Sequence, residues 1–130
     1  MAMNITWYDK PRGVLINRLE EGWTWEELRD SLQTIHELAA QANGDAIFII
    51  DVSRARSLPP GNTMVNGQYM MRQVPENVRH IVILIESKLV KTFMTMVIGM
   101  IPAWRNRAHF VKSLEEANKL IDRLLEQQVA

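Results

Sequence analysis

The sequence predicts an α/β domain: a mixed, mostly parallel sheet of about five strands with four helices, in the order β-β-α-β-α-β-α-β-α. Three observations carry that expectation. Ala46-Ile47-Phe48-Ile49-Ile50 and Ile81-Val82-Ile83-Leu84-Ile85 are unbroken apolar runs of strand length, the pattern of strands buried on both faces. The segments around them place apolar residues three and four apart, the period of a helix packed on one side. Thr24-Trp25-Glu26-Glu27 and Ser113-Leu114-Glu115-Glu116 have the form of capping boxes, in which a hydroxyl and a carboxylate satisfy amides left free in a helix's first turn.

Each element follows from local chemistry. Residues 5–8 are β-prone, residues 9–13 (Asp-Lys-Pro-Arg-Gly) form a turn, and residues 14–19 are a second strand, so the chain opens with a hairpin. The first helix follows Thr24, with its stripe at Trp25, Leu28, Leu32, Ile35 and Ala39, and ends at Asn43-Gly44. The strand 46–51 runs into Asp51-Val52-Ser53 and a loop broken by Pro59-Pro60-Gly61. A helix over 62–73 has Met64, Met71 and Val74 on its apolar side, with Gly67 permitting close backbone approach. After the strand 80–85, Ser87 caps a helix over 88–101 that stops at Pro102. Residues 107–111 form a short last strand at a sheet edge. The final helix carries Leu114, Ala117, Leu120, Ile121, Leu124 and Leu125 on one stripe. The hairpin makes the sheet mixed, while right-handed crossovers make the rest parallel.

Length and composition bound the function. A chain of 130 residues makes a single domain with a real core, and 47% apolar with 23% charged residues is the balance of a soluble globular protein. The absence of cysteine excludes disulfides, thiolate metal sites and a cysteine nucleophile, and suits the cytoplasm. No signal peptide is visible at Met1–Ile5, and no transmembrane segment is expected, because no run approaches about 20 apolar residues. The zero net charge hides an asymmetry: residues 54–112 hold nine Lys/Arg against Glu76 and Glu86 alone. That block can face an anionic partner, or simply solvate its own loops and helices. No nucleic-acid partner is expected.

The helix over 88–101 carries more apolar surface than a sheet face needs. At about 100° per residue, Lys88, Lys91, Thr92, Thr95 and Gly99 share one polar strip, and apolar residues cover roughly 200°. A helix lying on a sheet needs a stripe of about 100° or somewhat more. The margins, Met94 and Ile98 on one side and Met96 on the other, therefore call for a further cover. A neighbouring helix, a second copy of the chain, and an apolar ligand or membrane surface are the three candidates. A homodimer is expected, with Met94, Ile98 and Trp104 as leading contacts. The rival expectation is a small lipid or apolar-ligand binding protein with a Met-rich pocket between the helices 62–73 and 88–101.

Catalytic signatures are missing. There is no Gly-x-Ser-x-Gly elbow and no phosphate loop, and His36, His80 and His109 lie in separate elements without the spacing of a metal site. Structural roles are expected for all three histidines, no cofactor or metal is expected, and the chain is read as not an enzyme. Gly61-Asn62-Thr63 offers helix-start amides to an anion, or forms an ordinary cap. Candidate partner- or ligand-binding residues are Asp51, Ser53, Ser57, Thr63, Met64, Met94, Ile98 and Trp104.

The element order and the strand end Asp51-Val52-Ser53 resemble the STAS domain, in particular its SpoIIAA-like (anti-sigma-factor-antagonist-like) branch of small stand-alone bacterial proteins. The resemblance spans nearly the whole chain. It implies a STAS/SpoIIAA-like fold and a non-enzymatic regulatory or protein-interaction module acting through the loop over 53–63. In the antagonists, Asp-Ser-Ser-Gly opens the next helix, and its first serine is phosphorylated. Here Pro59, Pro60 and Gly61 stand at the positions of Asp-Ser-Ser, so the usual phosphoacceptor is missing and no phosphorylation at Ser57 or Thr63 is expected to control binding. Relatives of this branch are also similar to lipid-binding domains of the Sec14 type, which agrees with the apolar excess of the helix over 88–101.

Overall fold

A computed structural model describes residues 3–55 and 57–129; Arg56 of the loop and the first two residues read for a signal peptide lie outside the described residues. The chain builds one five-stranded sheet, β1 (Met3–Asp9), β2 (Val14–Leu19), β3 (Ala46–Asp51), β4 (Val78–Leu84) and β5 (Ala108–Val111), in spatial order β1-β2-β3-β4-β5. β1 pairs antiparallel with β2, and the other three pairings are parallel. The α/β class, the mixed sheet, the opening hairpin and the edge position of the last strand are as the sequence predicts.

The hairpin turns at Gly13, whose φ of 72° is left-handed and where a Cβ would lie 3.1 Å from the Asp45 carbonyl oxygen. The first predicted helix forms as two, α1 (Trp25–Asp30) and α2 (Leu32–Ala40). The break has a local cause. Ser31 turns its hydroxyl back to donate to the Leu28 carbonyl at 2.6 Å, a back-bond that bends helices. Both bonds of the Thr24–Glu27 capping box are made, Glu27 N–H to Thr24 Oγ1 at 3.0 Å and Thr24 N–H to Glu27 Oε1 at 3.1 Å. α3 (Thr63–Arg72) starts at Asn62, whose side chain caps Val65 N–H, and α4 (Lys88–Gly99) starts at Ser87. A short 3-10 turn, Pro102–Trp104, precedes β5, and α5 (Leu114–Val129) ends the described chain. In the second box, Ser113 Oγ accepts from Glu116 N–H, while the Glu116 carboxylate accepts from Lys112 N–H.

In a parallel array whose spatial order follows the sequence, right-handed crossovers put every connecting helix on the same face. The burial pattern shows this. Leu15, Phe48, Ile81 and Ile83 pack beneath α1 to α4, together with Ile35, Ala39, Met71, Val90, Val97 and Ile98. The alternate side chains Val14, Ile16, Ile47, Ile49, Val82 and Leu84 face α5 through Ala117, Ile121 and Leu124. α5 is further tied to the hairpin by Arg12, which bridges Asp9 and Asp122 at 2.6 Å each, and by Tyr8, whose hydroxyl donates to Asn118 at 3.0 Å. Among the described residues, no helix is long and apolar enough to cross a membrane.

α3 and α4 approach closely at one glycine. A Cβ on Gly67 would lie 3.2 and 3.3 Å from the two methyl groups of Val97. Gly67→Leu should therefore destabilise the fold by about 1–3 kcal/mol through overpacking. Gly99, with nothing within 4 Å of its would-be Cβ, should accept Ala with a gain of about 0.5–1 kcal/mol. Urea unfolding of the two variants checks the opposite signs.

Candidate functional site

Four helical segments on one sheet face leave a gap where they meet. Its floor is the sheet, with Asn17 and Leu19 of β2 and Phe48 and Ile50 of β3. One wall is Leu28 of α1 with Leu32 and Ile35 of α2. The opposite wall is Gly67, Met70 and Met71 of α3 with Val90, Phe93, Met94, Val97 and Ile98 of α4. Trp23, Trp25, Val52, Ala55, Ser57 and Leu58 close the end near the β3–α3 loop. The cavity volume is about 100 Å³, below the ~300–1,000 Å³ of sites that engulf drug-sized ligands. Such a space takes a few methylenes or a ring, and a longer ligand must extend past the rim.

Among the described residues, nothing that lines this pocket is ionisable, and its polar groups are few: the Asn17 amide, the Ser57 hydroxyl and the two indole N–H groups. Asn17 is 1% exposed, and its side-chain oxygen has no partner. The Trp23 and Trp25 Nε1 atoms are likewise buried without partners. The two indoles meet edge to face, with ring centroids 4.9 Å apart. Gly61, at a φ of 122°, passes over Trp25; a Cβ there would sit 4.0 Å from Nε1. Outside, Arg54 pairs with Glu20 at 3.1 Å and the Ser57 hydroxyl donates to Glu21 at 3.4 Å, so the loop rests on the β2–α1 turn through exposed polar contacts.

Of the eight residues picked from sequence, the structure brings Ser57, Met94 and Ile98 to the pocket. Asp51 and Ser53 satisfy each other: Asp51 Oδ1 accepts from the Ser53 amide at 3.0 Å and from its hydroxyl at 2.6 Å, closing the turn at the end of β3. The Thr63 hydroxyl donates to the Gly61 carbonyl at 3.4 Å, Asn62 makes the cap, and Met64 packs half-buried against the core. Trp104 is buried at 5% exposure, donates from its indole to the Met71 carbonyl at 3.0 Å and lies under the Arg107 guanidinium at 4.3 Å. It is a brace between α3 and the turn before β5.

These placements correct the dimer expectation. Ile98 and Trp104 are inside the chain and Met94 faces the pocket, so a homodimer built on these contacts has no support. One margin of α4 is covered by α3 and the pocket; the other, Leu89, Met96 and Met100, is exposed. Sequence reasoning missed Asn17, Trp23 and Trp25. The one signal available was an Asn inside the otherwise apolar strand Val14-Leu15-Ile16-Asn17.

His36 has the structural role expected, its Nε2–H donating to the Gln73 carbonyl at 2.7 Å. His80 and His109 do not stay apart. The β4–β5 pairing sets them side by side on the α5 face, Nδ1 of His80 3.2 Å from Nε2 of His109. One ring donates and the other accepts. Among the described residues, no group of three or more His, Asp or Glu side chains is arranged to hold a metal ion.

A family model described as a divergent CRAL/TRIO domain matches residues 24–128, which is most of the chain and includes every wall of the pocket outside β2 and Trp23. No curated protein and no solved structure matches the chain. The match corrects the STAS, SpoIIAA-like resemblance and the regulatory-module reading built on it. The strand end Asp51-Val52-Ser53 that suggested that family is a local turn, whose polar groups bond one another.

The histidine pair gives a pH prediction. Burial lowers the His80 pKa below its ordinary 6.5, and so do the charges of His109, Arg107 and Arg79, against an opposing pull from Asp45; burial lowers His109 as well. Folding disfavours the protonated form of both rings, whereas the unfolded chain takes up protons near 6.5. Stability is therefore fully present above that value and is lost as pH falls through it. The urea midpoint should drop between pH 7.5 and pH 5, and His80→Gln with His109→Gln should flatten the drop. Asp9, held below its usual range by Arg12, titrates under this window. An unchanged slope in the double variant would assign the loss to other groups.

Proposed function

We propose that this chain, which belongs to the divergent CRAL/TRIO domain family, binds a lipid or other apolar small molecule between the sheet and helices α1 to α4. The observation that carries the proposal is the pocket: a gap walled by aliphatic, aromatic and methionine side chains from six elements, without an ionisable group among the described lining residues. Family membership points the same way, since a CRAL/TRIO domain suggests a lipid-binding fold. Binding draws on burial of the ligand's apolar surface, worth about 25 cal/mol per Å² removed from water. Methionines 70, 71 and 94 let the walls adapt to its shape, because the unbranched thioether fills irregular gaps.

The protein acts by binding and not by catalysis in this reading. The Ser57 hydroxyl at the rim meets a carboxylate of the neighbouring turn, and no histidine lines the pocket among the described residues. Asp51 and Ser53 are engaged with each other. The cytoplasm is the proposed setting, in keeping with a chain without cysteine.

Two substitutions one turn apart separate pocket from core. Met94 is half-buried at the pocket edge, so Met94→Lys should keep the fold, its ammonium reaching toward the rim. It should weaken binding of a fluorescent apolar probe such as a pyrene-labelled alkane by about tenfold, because a charge then sits where the ligand lies. Val97, 4% exposed and against Gly67, has no such outlet, and Val97→Lys should unfold the domain. Probe titration with far-UV circular dichroism reads both. Full probe binding by a folded Met94→Lys protein would sink the pocket assignment, and organic extraction of the purified protein followed by mass spectrometry gives an independent check.

A further inference from the structure

Resting on the pocket reading above, we propose that the ligand is a single-chain amphiphile with an anionic headgroup, and that Arg29, held between Asn66 and Tyr69, receives that headgroup outside the rim. The cavity divides the ligand. A space of about 100 Å³ lined by apolar side chains takes a stretch of hydrocarbon and little else. A charged head does not follow it inward, because a charge buried without a partner is strongly disfavoured. The head stays at the surface, and the side chains there decide which head is kept.

Arg29 stands across the gap between two walls of the pocket. It follows Leu28 of one wall, and its partners Asn66 and Tyr69 flank Gly67 and Met70 of the other. Its Nη2 donates to Asn66 Oδ1 at 2.7 Å, and its guanidinium carbon lies 4.9 Å from the centre of the Tyr69 ring. The side chain thus crosses from α1 to α3 on the solvent side of the lining. Leu28 and Met70 are half-buried, so the apolar walls run up to this crossing. Asn66 also stands near the pocket's end: a Cβ on Gly61 would lie 3.5 Å from its Nδ2 and 3.5 Å from the ring of Trp25, which lines the cavity.

The charge of Arg29 is held in place but not neutralised. Both of its partners are neutral, and among the described residues it forms no ion pair, not even with Glu26 and Asp30 of its own helix. Arg54, near the loop side of the pocket, is already paired with Glu20 at 3.1 Å. A planar guanidinium fixed by an amide and a ring keeps further N–H donors for a carboxylate or phosphate oxygen. Fixing it beforehand lowers the ordering cost of binding. A hydroxyl head gains only the weaker bond of a neutral acceptor, and a cationic head is repelled.

The test displaces the pyrene-labelled alkane from the full protein at pH 8 with four competitors of equal chain length: decanoate, decyl phosphate, 1-decanol and decylammonium. The wild type should bind the preferred anion about fivefold more tightly than decanol, the discrimination that an exposed charge-assisted hydrogen bond supplies, and decylammonium most weakly. Added salt should narrow the anion's lead. Arg29→Met, which keeps an unbranched stem and removes the charge, should bind the anion no better than decanol while holding decanol within about twofold. Arg29→Lys should keep part of the preference. Far-UV circular dichroism checks that both variants fold. Decanoate against decyl phosphate tells a carboxylate head from a phosphate head, and a lead for either supports the proposal. If neither the probe nor any competitor binds the wild type, the pocket reading falls and takes the headgroup site with it. Decanol or decylammonium binding the wild type as tightly as both anions leaves the pocket standing and overturns the Arg29 site. A folded Arg29→Met protein that keeps the salt-sensitive preference overturns it as well.

Discussion

The handedness of the crossovers decides on which face of the sheet the helices crowd and the apolar pocket forms. Strands β2 to β5 lie in sequence order, so three successive right-handed connections deliver α1 with α2, then α3, then α4 to one face of the sheet, leaving α5 alone on the other. A single amphipathic helix can close its side: Ala117 and Ile121 are fully buried against Ile16, Ile47, Ile49 and Val82. The crowded face is different. Four helical pieces of unequal length must tile one twisted surface, and they leave a gap of about 100 Å³ between them. Where α3 and α4 do close, a glycine is required, because Val97 occupies the space that a Cβ on residue 67 would need.

That geometry makes the few polar atoms of the pocket informative. A core built only for stability would place an aliphatic residue at position 17, between Ile16 and Arg18 on a strand otherwise buried. An unpaired buried amide lowers stability by about 1–3 kcal/mol. The same holds for indole N–H groups, which usually find a partner when buried; Trp104, reaching the Met71 carbonyl, shows the ordinary outcome in this chain. Trp23 and Trp25 lack that outcome.

Much of the fold was legible because period, caps and punctuation agreed at each element. Ala46–Asp51 could be nothing but a doubly buried strand, and Thr24, Ser87 and Ser113 announced their helices through bonds that the structure makes. The Ser31 break was not legible, since it depends on one hydroxyl choosing a carbonyl three residues back over solvent. The pocket gathers only Ser57, Met94 and Ile98 of the residues picked from sequence, for a related reason. Asp51 and Ser53 look functional as letters at a strand end, yet two atoms of the same turn satisfy them. The pocket residues look like core as letters, because Trp, Phe, Met and Val signal burial without saying whether the neighbours arrive. The His80–His109 pair was invisible for the same reason: strand register, not sequence spacing, brings the rings to 3.2 Å.

The apolar arc of α4 shows how one observation divides between two faces of a helix. A roughly 200° arc does exceed what a sheet can cover. The excess on the Met94 and Ile98 side is not surface at all, because α3 crosses there and the pocket opens beneath it. What remains outside is the opposite margin, where Leu89 is 80% exposed and Met100 meets the Gln68 amide through its sulfur at 3.2 Å. Three side chains strung along one edge of a helix, bordered by the polar strip of Lys88, Thr92 and Thr95, make a narrow apolar edge. The two margins of one helix thus divide between two roles. The covered one supplies the wall of the cavity, and the exposed one lies in solvent beside the polar strip.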